Sequence, residues 1–582
     1  MYIIYFIISN FNKIMTKKNF QLLIISSIIL FIVCSSFYFG FIYSVFNTDF
    51  HHYSIILEPF LDAQNGLELN KDIFIQYGNG QVYLFKILSN FFEINFYTAG
   101  LVTQFIFSLK FIIFFFILRF FVDNLFSTIG VIIYYLLYTF TQTISGDIYA
   151  SFFLHLFVWV YLFNFKKKNF YLIILSSLLI FLTVSFRHTY LLNWVAFIPI
   201  LIFLNFFINK ELKYENKIAI NFLIILGIYL LYLFIDGRFF LWFDQFLGEG
   251  LNNRLNIAVS KEISLYTEVK QIIFYFLRII RHSIWPNSYG SNYFFSVIFA
   301  ANLIFIFNLS FKFFIQGVNK IKGQNKLLFV LSLLSFCGSI QVIFKFEIAR
   351  FLNASFPLLI IFIYLLYQIF NTLKNQYHKY FFIIFIFIFS IPLTLINIGS
   401  DYSLDELKLI KRYPFQSNNF QFGLNNHSVS LEGLIKIKNK YSFSSGYFAE
   451  PKNKIFKGKR LTQEYLDFYE DIEKDLCTYS AIYNFTVDRA LHFLCSNQKI
   501  YISSLFFLSL AGSESKTLEY VLSNKELEYI LNNKQEAVIV THEKIALLKI
   551  YKIYNVPKFY RYNNSDTVMR VFPDKIYTYK IN

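Results

Sequence analysis

About eleven long apolar runs, broken by short polar stretches, set the plan of the chain. They occupy residues 20–46, 97–121, 126–145, 151–165, 169–186, 190–208, 218–236, 292–314, 327–344, 352–371 and 380–398. A helix rises about 1.5 Å per residue, so about 20 apolar residues cross a hydrocarbon core of about 30 Å, and each run reads as a transmembrane helix. The lysines fall between the runs in short clusters, at Lys13/Lys17/Lys18, Lys166 to Lys168, Lys210/Lys213/Lys217, Lys320/Lys322/Lys326 and Lys374/Lys379. With a cytoplasmic N-terminus, the clusters after the fourth, sixth, eighth and tenth runs all face the cytoplasm, as the bias of basic loops requires. Parity then puts four segments outside: the stretch carrying Asp49, the turn Gly146-Asp147, residues 237–291, and everything after residue 399.

Two shorter pieces follow the first run. HHYSIILEPFLDAQNG predicts an interfacial helix ended by Gly66, and QVYLFKILSNFF a second one after Gly78-Asn79-Gly80, together framing a cleft open to lipid and water. QIIFYFLRIIRHSIW, within 237–291, predicts an amphipathic segment along the interface that closes the cleft. The opening MYIIYFIISNF is too short to span and lacks a leading charged region and a small-residue cleavage site, so the first helix is expected to stay as a signal anchor.

Composition agrees with the pattern. Of 582 residues 56% are apolar and 15% charged, with mean hydropathy +0.49, which excludes an ordinary soluble domain. The net charge of +17 suggests nucleic acid until the lysines are located; confined to loops between spans, they mark membrane topology and no nucleic-acid partner is expected. From residue 399 hydropathy falls. Strand-like runs (SAIYNFT, KIYISSLFF, EAVIVTH) there alternate with helix-like ones (VDRALHFL, SKTLEYVLSNKELEYILNN), predicting a small α/β domain. The expected division is therefore 1–398, a multi-pass α-helical membrane domain with its first outer loop at 47–96, and 399–582, a soluble extracytoplasmic domain. Cys477 and Cys495 lie in that domain and would form a disulfide in an oxidising compartment.

The polar residues of the first outer loop carry a resemblance. Asp49 to Gly78, DFHHYSIILEPFLDAQNGLELNKDIFIQYG, resembles the first external loop of bacterial GT-C glycosyltransferases, in which an acidic residue after the first helix, a downstream QYG element and many spans occur together. That family includes aminoarabinose transferases and protein O-mannosyltransferases. The resemblance implies a bacterial inner-membrane enzyme moving a sugar from a polyprenyl-phosphate donor to a cell-envelope lipid, glycan or protein, with inversion. It makes Asp49 the general base that takes the acceptor's hydroxyl proton. The bare residue also reads as the N-cap of the helix that Phe50 begins.

His51 and His52 either bind the donor phosphate by hydrogen bonds or hold a divalent metal with Asp49. Adjacent helix positions diverge by about 100°, which favours polar contacts over a shared metal. Tyr77 is expected to line the pocket, with Gly78 and Gly80 permitting a tight turn. Asp147 is the second acidic candidate, resembling the family by position, and otherwise reads as a solvated turn residue. For a phosphate leaving group the outer-side cations are Arg187 (beside His188), Arg278, Arg281, His282, Lys345 and Arg350, of which Arg187 and Arg350 stand out by interrupting apolar stretches. A transporter or flippase of lipid-linked saccharide is the competing class and would place charge within the spans, where Lys110 and Arg119 are notable. A non-catalytic membrane scaffold is the third.

Overall fold

The computed structural model describes residues 17–46, 50–64, 66, 68–70, 73, 75, 77–137, 145–167, 169–207, 213–243, 293–316, 323–339, 348–386, 448–449, 454–479, 481–484, 499–501, 537–541, 558–561 and 575–581. A helix occupies each predicted span. The apolar helices along these spans are α1 (Lys17–Phe46), α4 (Phe96–Leu118), α5 (Asn124–Leu137), α6 (Gly146–Lys167), α7 (Phe170–Phe186), α8 (Tyr190–Phe207), α9 (Lys213–Ile235), α11 (Tyr293–Gln316), α12 (Gln324–Gly338), α13 (Ile348–Ser355) and α14 (Pro357–Thr372), followed by helical residues 376–386. Between them lie α2 (Phe50–Gln64), α3 (Gly80–Leu88) and α10 (Phe239–Phe243). Four stretches are long and apolar enough to cross a bilayer alone: Gln21–Tyr38, Phe96–Leu118, Gly146–Phe165 and Tyr214–Ile235. Among the described residues the apolar stretches of the other helices are shorter, as in Ala301–Phe311 of α11. The single run expected over 352–371 is two helices, because Pro357 at the start of α14 has no N–H with which to continue α13.

Large apolar side chains face outward along the bundle, Phe31, Ile228, Phe307 and Phe381 each being more than 60% exposed. Water would not tolerate such a belt and lipid does. This is a helical membrane protein.

Contacts between helix ends show which loops share a face. At one end Gln324 Nε2 donates to Phe121 O (3.1 Å), Asn164 Nδ2 donates to Tyr214 OH (2.6 Å), and Phe126 meets Phe370 at 4.9 Å between centroids. Lys167, Lys213, Lys326 and Lys379 belong to this end. Glu215, in the first turn of α9, accepts from Tyr161 OH of α6 at 2.8 Å and pairs with Lys326 Nζ of α12 at 3.5 Å. With Glu215 3% exposed, the carboxylate ties three helices. Its removal in Glu215→Ala leaves a buried hydroxyl and an ammonium without their acceptor, and is expected to lower stability by about 3 kcal/mol, read as an earlier unfolding midpoint in detergent; an unchanged midpoint would refute the clamp.

The opposite end gathers the first loop, the starts of α4, α6 and α8, and part of the C-terminal region. Arg238 holds the loop after α2, donating from Nη1 to Leu69 O (3.1 Å) and from Nη2 to Tyr232 OH (2.9 Å) while paired with Asp236. Asn79 Nδ2 donates to Asn70 Oδ1 (2.6 Å) and Tyr229 OH (3.2 Å). Asn70 takes φ +64°, a left-handed conformation that asparagine tolerates better than most residues. α2 and α3 form where the sequence predicts, and Gly66 at φ +92° follows α2. Within α2 the side chains of Ile55, Ile56, Leu57, Glu58 and Phe60 are buried and Gln64 is exposed, whereas α3 exposes Tyr83 and Ile87 on one side.

In the C-terminal region, β1 (Phe448–Ala449) pairs antiparallel with β2 (Leu461–Thr462). A mixed sheet has the order β4-β3-β5-β7-β6, from β3 (Ala481–Asn484), β4 (Lys499–Tyr501), β5 (Ala537–Thr541), β6 (Lys558–Arg561) and β7 (Lys575–Ile581). β3 runs parallel to β4 and β5, and β7 antiparallel to β5 and β6. β3, β4 and β5 fall on the three strand-like runs read from sequence. The helix α15 (Gln463–Leu476) precedes the sheet. Cys477, just after α15, is disulfide-bonded; Cys495, its expected partner, lies outside the described residues. Cys34 and Cys337 are free.

The segment 454–460 seats this region on the membrane helices. Phe456 stacks on Phe96 at 5.3 Å, Arg460 N–H donates to Val45 O at 2.9 Å, and Lys457 Nζ lies 3.7 Å from Glu93.

Candidate functional site

Tyr77, Asp147 and Arg187, chosen separately from the sequence, meet at this second end. α7 stops at Phe186, and Arg187 turns extended (φ −146°, ψ 96°) with its N–H still bonded to Thr183 O at 3.1 Å. His188 N–H donates to Tyr77 O at 2.8 Å, and Tyr190 N–H returns to Arg187 O at 2.9 Å as α8 begins. Trp194 Nε1 donates to Thr183 Oγ1 at 2.9 Å, fixing the α7–α8 hairpin from within. The first loop closes on this corner through Gln81, whose Nε2 donates to Phe186 O at 3.0 Å.

Asp147 is not the solvated turn residue that one reading of its sequence context suggested. α6 starts at Gly146, earlier than the run at 151–165, so Asp147 sits in its first turn, where Ser145 Oγ accepts its N–H at 3.2 Å. A carboxylate is favoured there by the positive end of the helix. Its side chain is 8% exposed and that of Arg187 2%, with Arg187 Nε 3.4 Å from Asp147 Oδ1. The guanidinium also lies over the Tyr77 ring, 4.2 Å from its centroid. At 3.4 Å the carboxylate attracts Arg187 without capturing it by a hydrogen bond: among the described residues neither Nε nor Nη1 has a hydrogen-bond partner.

Gly78 and Gly80 serve a different purpose from the tight turn that the sequence predicts. Neither has positive φ. A Cβ on Gly78 would run into the Ser185 carbonyl, and one on Gly80 would sit 2.8 Å from the Phe186 ring. Glycine is required for close approach of the loop to the end of α7. The same holds for Gly146, whose Cβ would lie 2.5 Å from Gln81 Nε2 and 3.1 Å from Tyr77 Cβ.

The starts of α3, α6 and α8 therefore converge around one buried arginine. Helix N-termini present unpaired N–H groups and a partial positive charge, so they add to the guanidinium in attracting an anion. Gln81, by satisfying Phe186 O, removes one carbonyl of α7 that would oppose this. Deeper in the bundle Lys110 of α4 is fully buried and donates to Asn353 Oδ1 of α13 at 2.8 Å. Thr103 Oγ1 and Tyr149 OH share a hydrogen bond (2.7 Å) that joins α4 to α6 above it.

Other sequence candidates are not brought to this point by anything described. Asp49 and Lys345 lie outside the described residues, as do Arg278, Arg281 and His282. His51 and His52 are in the first turn of α2 and Arg350 is in α13, but their side chains are not among those described. Among the described residues no three His, Cys, Asp or Glu side chains form a metal-binding group. Arg119 is not an intramembrane charge: it caps the C-terminus of α4, is exposed, and donates from Nη1 to Val122 O at 3.4 Å. Gln81 was not anticipated from the sequence, whereas Lys110 stood out there as a lone lysine within a 23-residue apolar helix.

Fold and site together define a helical membrane protein with a buried ionic centre at one end of its bundle. No protein-family model and no curated protein matches the chain.

Proposed function

We propose that the chain is a GT-C-like membrane glycosyltransferase that moves a sugar from a polyprenyl-phosphate donor to a cell-envelope acceptor on the extracytoplasmic face. The observation carrying this reading is the Arg187 guanidinium, buried at the meeting of three helix N-termini, laid over Tyr77, with Nε and Nη1 lacking a hydrogen-bond partner among the described residues. A planar fork with free donors, charged at any physiological pH, suits a phosphate oxygen. Its location at a bundle end suits a lipid whose phosphate stays at headgroup level while its tail lies among acyl chains.

In this reading about eleven helices span a bacterial inner membrane, the lysine-bearing end is cytoplasmic, and the C-terminal region is outside. Asp49 is the general base. It comes three residues after α1 ends at Phe46, and in this reading it meets an acceptor hydroxyl arriving from the outer side. The base removes the hydroxyl proton as oxygen attacks the donor's anomeric carbon, the glycosyl–phosphate bond breaks with inversion, and the leaving phosphate keeps its negative charge on Arg187. The final role of Asp147 is to hold Arg187 in place between turnovers.

The test is transfer by purified, lipid-reconstituted protein supplied with a panel of polyprenyl-phosphate sugars and envelope acceptors. Asp49→Asn is expected to lose at least about a hundredfold in turnover while still binding donor. Equal turnover by wild type and Asp49→Asn would remove Asp49 as base, and absence of donor binding by wild type would remove the glycosyltransferase reading. A transporter of lipid-linked saccharide is favoured by one observation, the fully buried Lys110 within a span. It predicts passage of a labelled donor across proteoliposomes without an acceptor.

A further inference from the structure

We infer that Tyr232, Asp236 and Arg238 form a subsite beside the first loop for a neutral, hydroxyl-rich ligand, the saccharide end of an acceptor. Its purpose rests on the glycosyltransferase reading; its construction uses neither Arg187 nor Asp49. The end of α9 builds it. Gly237, at φ +73°, reverses the chain, so that its N–H reaches Phe234 O at 3.1 Å and the Arg238 N–H reaches back to Leu233 O at 2.9 Å. This closure folds Asp236 and Arg238 back toward the last turn of α9 and Tyr232. Arg238 is then held from three sides, by Leu69 O of the first loop at 3.1 Å, by Tyr232 OH at 2.9 Å and by its ion pair with Asp236. Its own side chain is only 10% exposed, whereas that of Asp236 is 39% exposed and Tyr232 is 51% exposed.

The chemistry here differs from that at Arg187. Both Nη atoms of Arg238 donate to protein oxygens and its charge is matched by Asp236, so no open fork awaits an anion. Instead, one guanidinium holds a carboxylate and a phenol next to each other, both within reach of a ligand. The phenol oxygen accepts from Arg238 and keeps its own proton to donate, while the carboxylate accepts. Adjacent hydroxyls of a sugar, each able to donate and to accept, match such a pair. The half-exposed rings of Tyr232 and Tyr83 add apolar faces suited to the C–H side of a pyranose. Tyr83 is tied to this corner: its N–H bonds to Asn79 O at 3.2 Å, and Asn79 Nδ2 donates to Tyr229 OH, also at 3.2 Å, one turn from Tyr232 on α9. A tyrosine that served only as a membrane-interface anchor would need neither the arginine nor the carboxylate.

The experiment is saturation-transfer NMR on full-length protein in detergent micelles with chitotetraose, mannotetraose and galactotetraose, followed by titration of those that bind. Wild type is expected to bind at least one of the three. Tyr232→Phe removes one hydroxyl and keeps the ring, and should weaken that saccharide by about tenfold. Asp236→Asn should weaken it by about tenfold or more, because a charged acceptor is lost. Tyr171→Phe, at a 78% exposed tyrosine of α7 beside the lysine-bearing end, is the control and should bind as wild type does. Farnesyl phosphate, an anionic isoprenoid probe, should bind Tyr232→Phe within about threefold of wild type, since the site does not hold the anion. Absence of saccharide binding by wild type overturns the inference, as does a Tyr232→Phe variant that binds saccharide as tightly as wild type. Equal weakening of saccharide and farnesyl phosphate in that variant overturns it too, as the mark of a disturbed fold. If Asp236→Asn does not fold, Tyr232→Phe decides alone. Saccharide binding that follows these variants in a protein that transfers no sugar would uphold the subsite and remove only the enzyme; sugar transfer by a wild type that binds none of the three would overturn the subsite and leave the enzyme.

Discussion

Replacing Arg187 with methionine is expected to abolish high-affinity donor binding and to lower sugar transfer by about a hundredfold or more, the usual consequence of removing a preorganised donor from developing negative charge. The substitution also removes the neutralising partner of a carboxylate that is 8% exposed, which destabilises a protein by about 3–5 kcal/mol when a buried pair is broken on one side. Loss of activity in Arg187→Met alone would therefore mix two causes. Arg187→Met/Asp147→Asn separates them: with both charges gone the fold should recover most of its stability, while donor binding should stay lost because nothing replaces the guanidinium over Tyr77. Arg187→Lys keeps the charge and gives up the planar fork, and should bind donor with intermediate affinity. Donor titration beside a denaturation curve reads both quantities. A double variant that binds donor as wild type does would refute the anion role of Arg187.

The pairing of Asp147 with Arg187 shows how far the sequence could be read. Parity of spans put both residues on one side of the bundle, since Asp147 precedes α6 and Arg187 follows α7, and each stood out as an ionisable group beside apolar residues. What parity does not carry is lateral arrangement. Nothing in the spacing tells that Tyr77 would be drawn against the α7–α8 corner, because that contact depends on a backbone approach that only Gly78, Gly80 and Gly146 permit. Gln81 escaped notice for the same reason, as its partner is a backbone carbonyl. In the C-terminal region β3, β4 and β5 were legible as compact runs of β-branched and aromatic residues. β6 (KFYR) and β7 (KIYTYKI) carry lysine and arginine and pair along the antiparallel side of the sheet, where a less apolar strand is tolerated. α15 was missed because its acidic residues lower its hydropathy, although Ile472 and Leu476 are buried one turn apart.

That backbone approach supplies the second large effect. Gly78→Ala adds one methyl group, which would overlap the Ser185 carbonyl oxygen and stand 2.9 Å from Ser185 C and 3.2 Å from Phe186 C. All three atoms belong to backbone at the end of α7, itself held by Trp194 on Thr183, so relief by a side-chain rotation is not available. The loop has to retreat. Retreat breaks the His188 N–H bond to Tyr77 O and the Gln81 bond to Phe186 O, and takes the Tyr77 ring off the Arg187 guanidinium. Overpacking of this kind costs about 1–3 kcal/mol in stability, and the displaced ring and loop are expected to reduce transfer by about a hundredfold, since small misplacements at a reacting centre are costly. Gly227→Ala, at a glycine of α9 with nothing within 4 Å of the added methyl, is the matched control and should leave transfer unchanged. Hydrogen exchange across residues 77–81 should rise in Gly78→Ala and stay at the wild-type level in Gly227→Ala. Wild-type exchange and turnover in Gly78→Ala would mean that the contact between this loop and the end of α7 does not position the site, and the convergence of Tyr77, Asp147 and Arg187 would then lose its claim to function.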